Sequence, residues 1–232
     1  LNDLKKMEKK HSKQSIRAIT FLDPVEALSL VEAEIHLDLA SLTSLSPETA
    51  QVLAQCTKNL TLDGLKAVKK EVADALCSDQ SPIFKGELRM DGIESLDRET
   101  AEALSKWDGE ALLLYGLTSL DTDTAKALSV FDGNQWGATL GLGIRTLSVE
   151  TAQILASSQS IGPLYLSGIR ELNIDQADAL SNFKGVIVFE DLMSISDEAL
   201  DTLHSGTCRF ALGETAKLLQ HRFASRKELV IL

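Results

Sequence analysis

Aromatic residues are scarce: Phe, Tyr and Trp make up 5% of the 232 positions. Any core must therefore be built from Leu, Ile, Val and Ala. With 44% hydrophobic and 25% charged residues, the chain has enough apolar material for one, and disorder along most of its length is disfavoured. The length alone allows one or two domains. Three cysteines, Cys56, Cys77 and Cys208, with no CxxC, leave one thiol over in any pairing and do not make a disulfide framework. They read as small buried apolar side chains. No run approaches 18 apolar residues, which excludes a transmembrane helix and with it membrane insertion. Basic residues are also few, 23 against 34 acidic, for a net charge of −11. That balance makes nucleic acid a poor partner.

The basic residues gather at the ends. Residues 1–17 carry a net +4, residues 209–232 a net +3, and the segment between them −18. Two readings stand: solvated charge at the chain ends, or a docking arm for an acidic partner. The chain starts at Leu1 rather than Met, so it reads as a processed or trimmed piece, and the missing leader says nothing about compartment.

Chemistry-bearing motifs are missing too. There is no HExxH, no G-x-S-x-G, no phosphate-binding loop and no GxGxxG. The four histidines, His11, His36, His204 and His221, are scattered. His36 and Asp38 alternate on one strand near Asp63, a spacing that fits a surface strand pair better than a metal or acid–base cluster. The expectation is therefore no catalytic set, no metal site and no cofactor.

What the chain has in abundance is repetition. LDLASLTSLSPETAQVL (37–53), LRMDGIESLDRETAEAL (88–104), LLLYGLTSLDTDTAKAL (112–128) and LYLSGIRELNIDQADAL (164–180) share one pattern. It is L-x-[LM]-x-[GS]-[LI]-x-x-L-[SDN]-x-[ED]-x-A-x-x-L. Residues 60–76, 143–155 and 187–203 follow it with substitutions. The [LI] position falls at Leu42, Leu65, Ile93, Leu117, Ile144, Ile169 and Leu192, at intervals of 23 to 28 residues.

Each copy has a physical reading. The alternating start is a short strand with one face buried. Glycine then permits a close backbone approach or an unusual turn. Ser46, Asp97, Asp121, Ser148, Asn173 and Ser196 are suitable helix N-caps. An acid follows two places on, where the helix dipole favours it, so these carboxylates mark helix starts rather than catalysis. The second copy has Lys69 at the cap and Lys70 after it, which oppose the dipole and predict a weak helix start. One strand and one helix cannot bury their own apolar faces, but stacked copies can. The expected fold is α/β: a solenoid of about seven strand–helix repeats, with a parallel sheet on one face and helices on the other.

The spacing of Leu42, Leu45, Ala50 and Leu53, and of Leu117, Leu120, Ala125 and Leu128, resembles the leucine-rich repeats of the bacterial surface-protein (BspA-like) class. The resemblance covers roughly residues 36–205. Ala and Leu stand where that class has Phe and Cys, and the Asn ladder of commoner leucine-rich repeats is missing. The resemblance implies a protein-binding scaffold and, by analogy with the class, a bacterial cell-surface or secreted setting.

Residues 1–35 read as an N-terminal helical cap, with a charged helix over 1–17 and a second helix starting at Asp23-Pro24. Residues 36–205 read as the solenoid. Residues 206–232 read as a C-terminal cap, with a helix over 213–224 and a last strand over 227–232. Residues 77–86 and 131–138 are insertions, the latter bearing Phe131 and Trp136, either as a loop with an aromatic tip or as plugs between repeats.

Strand residues between the buried ones face outward onto one continuous surface. Asp38, Asp63, Arg89 and Asp91 make its early part polar. Leu113, Tyr115, Tyr165, Ser167, Val188 and Glu190 make its later part apolar and aromatic. The fifth strand admits two registers: Leu140 and Leu142 outward, or, with a one-residue deletion, both buried. Leu113, Tyr115, Tyr165 and Val188 are the expected protein-binding residues, unless the segment near Trp136 covers them. The function expected is a non-enzymatic protein-binding scaffold. The alternative is a structural or regulatory repeat domain of a larger chain, packed against its own neighbours.

Overall fold

A computed structural model describes residues 16–78, 85–133 and 137–212. The expected charged helix over 1–17 lies almost wholly outside these residues, as do the helix over 213–224, the strand over 227–232 and Trp136.

Strands and helices alternate along the described chain. In order they are α1 (Pro24–Val31), β1 (Leu37–Asp38), α2 (Pro47–Leu53), β2 (Leu60–Thr61), α3 (Lys70–Leu76) and β3 (Lys85–Arg89). Then come α4 (Arg98–Leu104), β4 (Gly109–Leu114), α5 (Thr122–Leu128), β5 (Thr139–Leu142) and α6 (Val149–Ala156). The series ends with β6 (Pro163–Leu166), β7 (Glu171–Leu172), α7 (Ile174–Ser181), β8 (Val186–Phe189), β9 (Ser194–Ile195), α8 (Asp197–Ser205) and β10 (Arg209–Leu212). Eight strands form one parallel sheet in chain order, omitting β7 and β9, which pair with each other. Every helix packs on the next. This is the repeat-like α/β solenoid expected of stacked strand–helix units.

The core is a set of ladders running along the stack. Leu37, Leu60, Leu88, Leu112, Leu140, Leu164, Ile187 and Phe210 occupy one register line on the inner side of the sheet. All eight are buried. Leu42, Leu65, Ile93, Leu117, Ile144, Ile169 and Leu192 make a further buried row where the chain leaves the sheet. From the helices, Ala50, Ala73, Ala101, Ala125, Ala152 and Ala177 are each 0% exposed. A methyl at this place lets the helix backbone lie close against the strands.

The helix starts are those the pattern marks. Ser46, Asp97, Asp121, Ser148, Asn173 and Ser196 each accept a backbone N–H from the residue three places on. Asp23 caps α1 in the same way. Lys69 holds the extended cap conformation but makes no side-chain cap bond. In three copies the third helical position also ties its repeat to the one before. Thr49 Oγ1 donates to the Leu22 carbonyl at 3.2 Å, Thr124 Oγ1 to Leu96 at 3.4 Å and Gln176 Nε2 to Leu147 at 2.6 Å. These bonds satisfy carbonyls just ahead of the preceding cap, and the repeat pattern gives no hint of them.

The glycines before the [LI] position serve close approach. A Cβ on Gly116 or Gly143 would run into the carbonyl oxygen of Asp91 or Tyr115 in the preceding repeat. Phe131 is fully buried within the core, so it is not a loop tip.

Candidate partner-binding face

The outward side of the sheet carries one unbroken line in register: Asp38, Thr61, Arg89, Leu113, Gly141, Tyr165, Val188 and Ala211. Charge and polarity occupy its first three places, and apolar or aromatic atoms the rest. The fifth strand resolves to the register with both leucines inside: Leu140 and Leu142 are 0% exposed. Gly141 is thereby left in the outward line. Its missing side chain is covered by neighbours, since a Cβ there would lie 2.9 Å from Leu113 Cδ2 and from Tyr115 Cε1 and Cζ. An aromatic ring leaning over a strand glycine is a known way to shield exposed backbone.

Of the four expected binding residues, Leu113, Tyr115 and Tyr165 are half-buried. Val188 corrects the expectation: it points outward in register but is only 3% exposed. It stands between Tyr165 and Ala211 in a four-residue strand paired on both sides, so it supports the surface rather than forming it. Gly141, which the alternation did not single out, is the position that lets Leu113, Tyr115 and Tyr165 share one patch.

Two residues further along the strands, the side chains form polar links. Asp63 Oδ1 accepts the N–H of Asp91 at 3.0 Å, and Asp91 Oδ1 accepts that of Tyr115 at 3.1 Å. Carboxylates thus bridge successive strands at the sheet edge. Arg89 pairs with Asp91 at 2.5 Å and with Asp63 at 3.4 Å. Burial pushes the Asp91 carboxyl above the usual aspartate range, against the bond from Tyr115 and the nearby Arg89 charge. Partial burial opposes the charge on Arg89, yet Asp91 and Asp63 hold its guanidinium above the ordinary value. The phenol of Tyr115 is raised well above the ordinary tyrosine range, by burial first and then by Glu190, Tyr165 and Asp91. It stays protonated and offers an O–H donor. Ser167 Oγ donates to Glu190 Oε2 on the next outward position.

Beside this patch lies a cleft of about 670 Å³, lined among others by Tyr115, Gly143, Arg145, Ser167, Arg170 and Asp191. The face presents apolar area, hydroxyls, carboxylates and guanidinium groups. His36 and Asp63 bond to different partners. His36 Nδ1 accepts the Asn59 N–H at 3.3 Å, while Asp63 is engaged with Asp91 and Arg89. The three thiols are buried. Desolvation pushes Cys77 up to about 12 and Cys208 up to about 11, far from the thiolate that nucleophilic chemistry requires. Among the described residues no helix is long and apolar enough to cross a membrane.

No protein-family model matches the chain, and no curated protein matches it.

Proposed function

We propose that this chain is a non-enzymatic protein-binding scaffold of the leucine-rich-repeat kind, presenting the outward face of its repeat sheet to a protein partner. The observation that carries the reading is the change of character along one register line, from Asp38 and Arg89 to Leu113, Gly141 and Tyr165. A partly exposed aromatic and aliphatic patch beside charged groups is the usual composition of an interface centre and its rim. Tyr115 and Tyr165 are the anchors, because each combines a large apolar ring with a hydroxyl and few rotatable bonds. The test is affinity capture from the source organism's extract, with the native chain beside Tyr115→Ser/Tyr165→Ser, both verified as folded. A protein retained by the native chain and lost by the variant supports this face. Equal retention, or none, removes it.

A second reading has its own observation. In α2 through α8 the second and fifth helical positions are polar in every case, for example Glu48 and Gln51, or Asp175 and Asp178. In α1 they are Val25 and Leu28. Val25 is 74% exposed, Leu28 42%, and nearby Phe21 70%. Apolar side chains at solvent positions of the first helix fit a repeat domain that packs against a neighbouring domain of a longer chain. Protection of Val25 and Leu28 from solvent in the longer protein would favour it.

A further inference from the structure

The cleft beside Tyr115 has a cause in the repeat itself. In most copies one outward residue separates the second strand apolar residue from the glycine position: Asp63, Asp91, Tyr115 and Ser167 are examples. The fifth copy lacks it, and Leu142 runs directly into Gly143. The preceding outward residue is Gly141, so this strand contributes no outward side chain at two successive places. Tyr115 and Ser167, from the strands on either side, are left facing a gap, and both line the cleft.

Its lining carries charges of both signs. Arg145 and Arg170 occupy the same place in adjacent repeats, directly after Ile144 and Ile169. Both guanidinium side chains line the same cleft, so two like charges face one opening. An anion held in that opening can meet both charges. Three described arginines find carboxylates: Arg17 with Asp38, Arg89 with Asp63 and Asp91, Arg98 with Glu102. Among the described residues, neither Arg145 nor Arg170 has a carboxylate within 4.0 Å. This holds although the net charge is −11 and although Glu171 and Asp191 line the same cleft.

The two signs together narrow the occupant. Glu171 and Asp191 would repel a polyanion. A peptide offers a single carboxylate to the guanidinium pair, amide N–H groups to the acidic side chains, and an apolar side chain to the Tyr115 ring. Guanidinium groups match a carboxylate in planar, paired geometry. Resting on the protein-binding reading, we infer that the cleft takes an extended acidic segment of the partner protein. The segment's carboxylate sits on Arg145 and Arg170, and an adjacent apolar side chain lies against Tyr115.

The experiment is selection of phage-displayed random peptides on the intact chain, followed by titration of the tightest synthetic peptide. Selected sequences should carry Asp or Glu next to an aliphatic or aromatic residue. Affinity should fall at least about tenfold in Arg145→Gln/Arg170→Gln, the loss expected for charge-assisted hydrogen bonds. It should weaken with added salt and stay unchanged in Arg98→Gln, a helix-surface control. All three arginines are exposed, and unchanged denaturation midpoints verify folding. No selection, selection without acidic residues, or indifference to the double arginine variant overturns the inference. If peptide binding is lost in Tyr115→Ser/Tyr165→Ser but not in the arginine variant, the acidic-segment inference falls while the protein-binding reading stands. If partner capture ignores the tyrosines, that reading falls as well.

Discussion

Replacing Lys69 by Asp should stabilise this protein. Lys69 stands at the start of α3 with φ −85° and ψ 154°, close to the −82° and 164° of Asp97 at the start of α4. The backbone is therefore already in capping geometry, and Asp fits without strain. At Asp97 the carboxylate accepts the Thr100 N–H at 2.7 Å. At Lys69 the corresponding N–H, of Val72, is left with the Lys69 carbonyl at 3.0 Å, a tight three-residue turn bond. A cap of this kind contributes about 1 kcal/mol, within a range of about 0.5–2. Exchanging a positive for a negative charge at the helix start adds roughly 0.3–1 kcal/mol. Because Val72 is already partly satisfied, the expected gain is about 1 kcal/mol, or about 2–4 °C in Tm for a chain of this size. Urea denaturation measures the whole effect, and hydrogen exchange at Glu71 and Val72 measures the local one. Stacked repeats share stability with their neighbours, so both should rise together. An unchanged midpoint and unchanged exchange in Lys69→Asp would refute the capping argument. A midpoint that rises without slower exchange at these amides would place the gain in surface charge instead.

Two other outcomes follow from the geometry. Gly143→Ala should cost about 1–3 kcal/mol, because the new methyl meets the Tyr115 carbonyl, whereas Gly141→Ala meets only side-chain ends that can move; equal denaturation midpoints for the two variants would contradict this. Acid should weaken the helix starts. Thr100 bonds hold the Asp97 carboxyl below the ordinary range, and the Thr124 N–H does the same for Asp121. A carboxyl lowered in the folded state contributes stability that is complete above its unfolded value of about 3.9 and is lost as pH falls through the lower folded value. Asp97→Asn/Asp121→Asn keeps the caps but removes the titration, so its denaturation midpoint should fall less steeply than that of the native chain below about pH 4. Parallel curves would count against the assignment.

The face has a built-in asymmetry that bears on recognition. Asp63 and Asp91 spend their oxygens on backbone N–H groups of the next strand, so the acidic end of the sheet is internally satisfied. At the other end the short fifth repeat leaves Arg145 and Arg170 beside an open cleft. Under the proposed reading, a partner's carboxylate would meet the end where the chain's own carboxylates do not pair with these two guanidiniums.

The repeat, the helix starts and the inward ladders were legible in the order of residues. They rest on local rules: alternation with period two, short polar side chains ahead of helices, and acids in the first turn. Ser46, Asp97 and Asn173 cap because a cap bond spans three residues. Lys69 fails to cap for an equally local reason, its side chain having no acceptor. Contacts between repeats were decided by the tertiary structure. Thr49 and Gln176 reach carbonyls 27 and 29 residues away, a distance that only stacking brings within hydrogen-bond range. Val188 is outward by periodicity but buried by its neighbours, since pleat direction sets where a side chain points and packing sets whether water reaches it. The fifth strand depended on both: counting alone left two registers open, and burial of Leu140 and Leu142 between ladders of leucine selected the one that leaves Gly141 under Tyr115.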